Sequence, residues 1–300
     1  MQSIKKYLSL IKFSHTIFAM PFALIGFFLG VQYIKTNQVV LSENGFNLNP
    51  WLYTFILIVL CMVFARSAAM AFNRYLDMHI DAKNPRTAIR EIPSGQIKPQ
   101  NAFLFTIICS LLFVLCTLVI NKLVFFLSFV ALFVILFYSY TKRFTALCHL
   151  VLGLGLSLAP IGAFLAVTGV FDLLPILFSF LVLTWVSGFD IIYALQDEAF
   201  DKQHQLNSIP ALLGKEKALQ LSTFLHFITA AIIIFIGFYT SHLFWYWIGA
   251  LIFIGMLFYQ HSIVKPNDLS KVNIAFMTAN GIASIVFACF VMIDILIKIK

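Results

Sequence analysis

Long runs of apolar residues, separated by short polar segments, follow one another along almost the whole chain. Nine of these runs are long enough to cross a hydrocarbon layer of ~30 Å as helices. Their expected bounds are 14–34, 52–73, 101–120, 123–140, 146–168, 173–193, 219–240, 243–262 and 274–297. The pattern predicts an all-α, polytopic membrane protein of nine transmembrane helices, which form a single integral-membrane domain over residues 1–300.

Composition supports this interpretation. Hydrophobic residues make up 61% of the chain and charged residues only 11%, which is more apolar surface than a soluble domain of this size needs. The first run is too long for the core of a signal peptide and more runs follow it, so we expect it to be retained. The five cysteines lie in or beside apolar runs without paired spacing, which is typical of small buried residues.

The basic residues are distributed unevenly between the two sides of the predicted membrane. With the N-terminus placed inside, 15 lysines and arginines lie on the inner side and four on the outer side, while Arg66 lies within a span. Because lysine and arginine concentrate in cytoplasmic loops, this asymmetry predicts a cytoplasmic N-terminus and an external C-terminus. The net charge of +8 therefore indicates membrane topology, and we expect no nucleic-acid partner.

Two polar clusters stand where predicted spans reach the cytoplasmic side. The chain has only 12 acidic residues, and half of them lie in these clusters. The clusters have the patterns Asn73-x-x-x-Asp77-x-x-x-Asp81 and Asp190-x-x-Tyr193-x-x-x-Asp197-x-x-x-Asp201. An offset of 120 residues aligns Asp77 and Asp81 with Asp197 and Asp201, which hints weakly at an internal repeat.

The spacing within each cluster indicates a cation site. Residues four apart on a helix lie on one face, so we expect Asp77 and Asp81 to point the same way, as do Asp197 and Asp201. Paired carboxylates repel each other unless a cation lies between them. Mg²⁺ prefers oxygen ligands and is typically held by one or two carboxylates together with substrate phosphates. The clusters therefore predict magnesium bound to a diphosphate.

Basic side chains close to the clusters suit phosphate oxygens that the metal leaves free. Lys83, Arg86 and Arg90 follow the first cluster, and Lys142 with Arg143 ends the fourth predicted span. Lysine and arginine at the end of a span also serve as ordinary cytoplasmic anchors, and this interpretation stays open for Lys142 and Arg143.

Arg66 is an arginine inside a predicted span, two helical turns deeper than Asn73. A charge at that depth is costly and usually faces an interior cavity. Arg66 is therefore a candidate for binding the carboxylate of an acidic substrate. The alternative is a buried arginine that pairs with a carboxylate or a carbonyl for packing.

At these residues the chain resembles the UbiA superfamily of membrane prenyltransferases, and within it the 4-hydroxybenzoate polyprenyltransferase branch. The strings that carry the resemblance occur in order along most of the chain. They are ARSAAMAFNRYLDMHIDAKNPRT (65–87), EIPSG (91–95), YSYTKRFT (138–145), GFDIIYALQDEAFD (188–201) and SIPALLG (208–214). The family's arginine-proline pair reads Arg90-Glu91 here, which makes the role of Arg90 less secure.

The resemblance implies helices bundled around a central cavity and a transfer reaction. A polyprenyl diphosphate would lose diphosphate with the help of two Mg²⁺ ions, and an aromatic acid, 4-hydroxybenzoate in ubiquinone biosynthesis, would take the prenyl group. The implied metal ligands are Asn73, Asp77, Asp81, Asp190, Asp197 and Asp201. Lys142, Tyr138, Arg86 and Arg90 would contact diphosphate, and Arg66 the acceptor. Asp77, Asp81, Asp197, Asp201 and Lys142 would form the catalytic set.

We accordingly expect an enzyme of the inner membrane of a bacterium, with its active site open to the cytoplasm. A hydroxynaphthoate, leading to menaquinone, would suit Arg66 as well. A cation-coupled transporter is a different class, for which acids near mid-membrane and broken helices would be typical. A phosphotransferase acting on nucleotide-linked alcohols would pack its acids into one short motif that does not occur here. A purely structural protein would leave the clustered acids unexplained.

Overall fold

The computed structural model describes residues 2–11, 18–38, 50–241 and 243–299. In this part of the chain helices and their connections form the whole architecture, and no strand is present. The helices are α1 (Gln2–Leu10), α2 (Met20–Thr36), α3 (Pro50–Leu76), α4 (Met78–Asp81), α5 (Pro99–Ile120), α6 (Lys122–Thr141), α7 (Cys148–Thr168), α8 (Leu173–Ala194), α9 (Glu198–Gln203), α10 (Ile209–Tyr239), α11 (Phe244–Ile263) and α12 (Asn280–Ile299). A 3₁₀ turn covers Leu195–Asp197 and a π-helix covers Ile274–Ala279.

The apolar helices match the predicted spans. Eight helices of the described residues are long and apolar enough to cross a membrane, and α2, with 17 residues, is a shorter apolar helix. At 1.5 Å per residue α2 is about 25 Å long, which approaches the thickness of a hydrocarbon core. The prediction of an all-α, polytopic membrane protein is confirmed.

One boundary differs from the expected ones by ten residues, the start of α10. The start of the first run, at 14, lies outside the described residues. Helix α10 begins at Ile209 rather than 219, because Gly214 adopts a φ of 79° and joins a short first segment to the long helix across a kink. A glycine tolerates this left-handed conformation, which a side chain would strain. The last span begins with the π-helix and continues directly into α12.

The short turn between α5 and α6 is stabilised by one side chain. The Asn121 carboxamide oxygen accepts a hydrogen bond from the amide of Val124 at 2.9 Å, and its nitrogen donates to the carbonyl of Leu165 on α7 at 2.9 Å. Backbone groups that are not paired within a helix are costly inside a bilayer. Asn121 therefore both begins α6 and fastens it to α7.

Close helix packing forms the centre of the bundle. Helix α7 packs against α8 and α2, and α3 packs against α5. A Cβ atom on Gly26 of α2 would lie 2.1 Å from the carbonyl oxygen of Pro160, so these two backbones touch. On the other side of α8, Trp185, Phe253 and Phe287 form a fully buried aromatic core. The bundle is thus tightly filled around α8.

Each acidic cluster begins in a spanning helix and continues past the end of that helix. Helix α3 ends at Leu76, and Asp77 has a φ of −92° and a ψ of 7° before the short α4. Helix α8 ends at Ala194, and Asp197 has a φ of −100° and a ψ of 1° before α9. In both clusters an aspartate with non-helical dihedral angles separates the end of the span from a short helix. We call the end of the bundle that carries both clusters the acidic end.

Candidate active site

The first cluster presents Asp77 to the end of α6. Arg143 places Nη2 3.0 Å from Oδ1 of Asp77, and the same nitrogen donates to the carbonyl of Leu76 at 2.9 Å. Asn73, one turn earlier on α3, donates from Nδ2 to Oδ2 of Asp77 at 3.1 Å. Asp77 therefore contacts its own cluster and a basic residue from a distant part of the chain.

Asp81 is buried beneath two arginines. Arg90 holds Oδ1 of Asp81 at 2.6 Å, while Arg74 lies 3.8 Å from Oδ2. Oδ2 is buried and accepts no hydrogen bond from any described residue. A buried carboxylate oxygen without a hydrogen bond is unfavourable, so this atom fits a site that a cation completes.

Asp197 of the second cluster is bound by residues that follow the first. Arg86 makes a two-pronged contact, with Nε 3.0 Å from Oδ1 and Nη2 2.5 Å from Oδ2. Asn84 donates to Oδ1 at 3.2 Å, and Arg86 also donates to the hydroxyl of Tyr193 at 3.1 Å. The segment after α4 thus reaches across the acidic end and joins the two clusters.

Asp201 is fully buried and is bound from α6 and from the start of α10. Lys142 lies 2.7 Å from its Oδ1, and the hydroxyl of Ser208 donates to its Oδ2 at 2.8 Å. Lys142 and Arg143 are neighbours at the end of α6, yet one binds the second cluster and the other the first. The two clusters, far apart in sequence, therefore belong to one site.

The electrostatic environment of Asp77 favours an added cation. Burial raises the pKa of the Asp77 carboxyl to about 6, attraction by Arg143 opposes this rise, and repulsion from Asp81 adds to it. The nearby arginine does not fully compensate for the lost hydration of the carboxylate. A divalent ion at this carboxylate would stabilise its charged form.

Asp190 has a histidine as its partner. Its Oδ2 lies 2.7 Å from Nδ1 of His149, at the start of α7. Nε2 of the same ring accepts a hydrogen bond from the amide of Ile209 at 3.3 Å, next to Ser208. The hydrogen on Nδ1 therefore points at Asp190. His149 fastens α8 to the start of α10, beneath the second cluster.

A cavity of about 330 Å³ lies in the bundle between α3, α5, α6 and α7. Most of its wall is apolar, but Arg66, Asn73 and Tyr138 also line it. Nε of Arg66 is buried and makes no hydrogen bond within the described residues. Because Asn73 also contacts Asp77, the cavity begins directly beside the first cluster.

The donor atoms at the acidic end fit Mg²⁺ in character. They are carboxylate and carboxamide oxygens, and Oδ2 of Asp81 is a buried oxygen in need of a partner. Among the described residues, no three histidine, cysteine or acidic side chains converge as a ready-made metal site. This agrees with an ion that takes only one or two carboxylates and completes its shell with phosphate and water.

The structure brings ten of the eleven predicted site residues into this region as one connected set, and the eleventh, Asp190, pairs with His149. Residues that sequence reasoning did not assign to the site also contact the acids. They are Arg74, Asn84, His149 and Ser208. Arg143, which the sequence offered beside Lys142 as a phosphate contact or as an anchor, contacts Asp77. Asn84 and Arg74 lie beside the first cluster in sequence, and this nearness was an available signal. His149 and Ser208 meet the second cluster only through folding.

Comparison with known proteins gives a consistent result. The sequence model of the UbiA prenyltransferase family matches residues 39–282. A 4-hydroxybenzoate octaprenyltransferase of Francisella tularensis subsp. novicida is 27% identical over 252 residues, covering 83% of this chain and 86% of the relative. One from Nitrosomonas europaea is 30% identical over 233 residues, covering 78% and 80%.

Solved structures share the architecture. The apo structure of a UbiA homolog from Aeropyrum pernix K1 has a TM-score of 0.77 at 26% identity, covering 95% of this chain and 98% of that one. A UbiA homolog from Archaeoglobus fulgidus bound to GPP and Mg²⁺ has a TM-score of 0.74 at 21% identity, covering 97% and 99%. At that identity the second likeness establishes the fold alone.

Proposed function

This chain belongs to the UbiA prenyltransferase family, and from that premise we propose that it transfers a polyprenyl group from a polyprenyl diphosphate to 4-hydroxybenzoate. One observation carries the proposal. Carboxylates from two distant segments and the basic residues that hold them meet beside an apolar cavity that contains an arginine. The names of the curated relatives support the choice of acceptor.

The alternating charges of the acidic end suit a metal–diphosphate. Arg86, Arg90, Lys142 and Arg143 each hold one carboxylate. The oxygens of a diphosphate attract these basic groups. The carboxylates that the basic groups release are then free to bind the Mg²⁺ ions that accompany the diphosphate. Guanidinium groups bind phosphate oxygens in two-pronged geometry. Arg86 and Lys142 would therefore turn from the acids to the leaving group when substrate binds.

Asn73, Asp77 and Asp81 on one side, and Asp197 and Asp201 on the other, would hold two Mg²⁺ ions. When bound, the metal supplies Lewis-acid neutralisation of the charge that builds up on the leaving diphosphate. This assignment draws support from the Archaeoglobus fulgidus homolog, whose structure is described as bound to GPP and Mg²⁺.

The cavity would hold the reacting ends of both substrates away from water. The bond between the first prenyl carbon and its oxygen breaks, and the electron pair leaves with the diphosphate. An apolar, water-excluding wall protects the resulting allylic cation. A carbon of the activated ring then bonds to it and loses a proton. Arg66, inside the cavity, would bind the carboxylate of the acceptor.

Topology follows from the charge asymmetry of the loops. We place the acidic end in the cytoplasm, where soluble acceptor and diphosphate release are available, and the protein in the inner membrane of a bacterium. A cation-coupled transporter would need its acids near the membrane centre. The four acids of the site instead lie beyond the ends of α3 and α8.

The proposal is tested with purified protein in lipid vesicles, a labelled octaprenyl diphosphate, and a panel of 4-hydroxybenzoate, dihydroxynaphthoate and benzoate. We expect prenylated 4-hydroxybenzoate, full loss of product with EDTA, and recovery with Mg²⁺. Product from the naphthoate alone would show that the naphthoate is the acceptor. If neither 4-hydroxybenzoate nor the naphthoate led to consumption of the donor, the assignment would be refuted. Benzoate, which lacks the activating hydroxyl, is the matched control.

A further inference from the structure

Helix α7 carries three glycines in its interior, at positions 153, 155 and 162. Glycine is less favourable than alanine inside a helix, so each of these positions calls for a reason. At Gly153 the reason is packing. A Cβ atom there would lie 2.4 Å from the hydroxyl of Ser187 and 2.6 Å from the carbonyl oxygen of Leu183, so α8 approaches too closely for a side chain.

Packing does not explain the other two glycines. A Cβ atom on Gly162 would meet nothing within 4 Å, and one on Gly155 would meet only Ile135, at an ordinary contact distance of 3.4 Å. Both residues line the cavity. They are seven residues apart, which places them on the same face of α7. Because these two glycines have no side chain, space inside the cavity stays open beside them.

The two glycines lie at different depths. The cavity wall on α7 runs from Val151, near the acidic end, to Ala166 near the opposite end, which corresponds to about 22 Å along the helix axis. Gly155 lies about 6 Å below Val151, and Gly162 about 16 Å below it. The cavity therefore extends through most of a ~30 Å hydrocarbon core, with one glycine near each end.

The polar groups of the cavity show which end binds the reacting groups. Asn73 and Tyr138 line it at the acidic end, and Arg66, with its buried Nε atom free of hydrogen bonds to the described residues, lies two turns below Asn73. Near Gly162 the wall instead consists of residues such as Ile58, Ile161 and Leu165. Thr117 and Ser128 also line this part of the cavity, but their hydroxyls donate to carbonyls of their own helices, so the deep end suits a hydrocarbon.

We propose that Gly155 and Gly162 set the length of the isoprenoid chain that this enzyme accepts. This inference rests on the proposed prenyl transfer and adds the residues that select the donor. A donor with few isoprene units occupies the part of the cavity around Gly155. A long donor must also pass Gly162, and a side chain at that position occupies the path. Filling a close-packed apolar site forces neighbours apart and disfavours the bound state.

The test compares Gly162→Phe and Gly155→Phe with the wild type, using prenyl diphosphates of two, four and eight isoprene units. For Gly162→Phe, kcat/KM for the eight-unit donor relative to the two-unit donor should fall by about tenfold or more. For Gly155→Phe, activity with the two-unit and four-unit donors should fall as well, because short donors occupy the cavity around Gly155. The longest donor that is accepted should therefore differ between the two variants, because the two positions lie at different depths in the cavity.

Gly255→Phe is the matched control. Gly255 also lies inside a helix, α11, where a Cβ atom would meet nothing within 4 Å, but it is exposed on the outside of the bundle and does not line the cavity. This variant should show the donor preference of the wild type. An equal change of preference in Gly255→Phe and Gly162→Phe would overturn the inference, as would an unchanged preference in Gly162→Phe.

A binding measurement separates this inference from the proposed acceptor chemistry. Each donor, with Mg²⁺ and without acceptor, should raise the melting temperature of the purified wild type, and Gly162→Phe should lose this shift only for the eight-unit donor. If no acceptor is prenylated but the shifts follow this order, the proposed function fails and the length selection stands. If Gly162→Phe does not fold, the series Gly162→Ala, →Val and →Leu carries the same test, and a preference that is independent of side-chain size overturns the proposal.

Discussion

The two acidic clusters share a backbone design but satisfy their carboxylates differently. Each breaks its span at an aspartate with nearly the same dihedral angles, at Asp77 and at Asp197. Each places its last aspartate in a buried position, with the side chain of Asp81 7% exposed and that of Asp201 0% exposed. The repeat suggested by the offset of 120 residues therefore extends to the local backbone.

The two clusters differ in the residues that contact their last aspartates. Asp81 is held by Arg74 and Arg90, both close to it in sequence. Asp201 is held by Lys142 from another helix and by the hydroxyl of Ser208. Asp81 thus relies on positive charge from its own segment, whereas Asp201 depends on tertiary contacts. Asp77 and Asp197 both meet an arginine from a distant segment. Equal spacing is thus accompanied by similar backbone angles at Asp77 and Asp197, while the fold determines the counter-charge of each carboxylate.

The largest expected effect tests whether the clusters are equivalent in catalysis. Asp77→Asn and Asp197→Asn should each lower kcat/KM by at least about a hundredfold, because each removes a charge that positions the metal–diphosphate. The measurement is product formation in vesicles at saturating Mg²⁺. Asp268→Asn, at an exposed carboxylate far from both clusters in sequence, serves as the control. Wild-type turnover by either cluster variant would contradict the metal assignment.

A second prediction concerns an arginine that is present in the helix before the first cluster and has no counterpart in the helix before the second. Arg66 lies on α3, and the position 120 residues later, on α8, is Val186. Arg66→Ala should therefore raise the KM for 4-hydroxybenzoate by on the order of thirtyfold through loss of a charge-assisted contact, with little change in the KM for prenyl diphosphate. Steady-state kinetics with each substrate varied in turn measures this. Equal increases for both substrates would remove Arg66 from the acceptor site.

A third prediction breaks the link between the clusters. Arg86→Gln removes the two-pronged contact with Asp197 and, in our proposal, one grip on diphosphate. The KM for the donor should rise by about tenfold. Arg86→Lys should restore only part of this loss, because an ammonium cannot reproduce the planar fork. Full recovery with lysine would show that charge alone is needed.

The smallest expected effect concerns the hydrogen bond between Asp190 and His149, beneath the second cluster. In the first cluster the position that matches Asp190, 120 residues earlier, is Met70. If Asp190 acts only through His149, then Asp190→Asn and His149→Gln should each lower kcat by about fivefold. The double variant should lose little more, because both substitutions break one interaction. A loss in Asp190→Asn as large as that in Asp197→Asn would instead make Asp190 a metal ligand, as the sequence pattern predicts.

Much of the architecture could be read from the sequence because hydrocarbon imposes a simple rule. Each apolar run of sufficient length must satisfy its backbone hydrogen bonds internally, and a helix does so. The spans and the all-α class follow from the apolar runs, and the resemblance to the family is carried by the motif strings. The backbone angles at Asp77 and the early start of α10 could not be predicted from the sequence. The first depends on contacts with distant neighbours such as Arg143, and the second on the φ of Gly214.

The sequence by itself determined that the carboxylates cluster at the ends of two spans, because the end of an apolar run and the spacing of the acids are local properties of the chain. Only the tertiary structure decided which cation faces each of them, that Lys142 and Arg143 serve different clusters, and that His149 binds Asp190. It also decided that Gly155 and Gly162 face open space while Gly153 faces α8. The physical reason is that charge pairing and cavity shape depend on distances between helices, which no local pattern encodes.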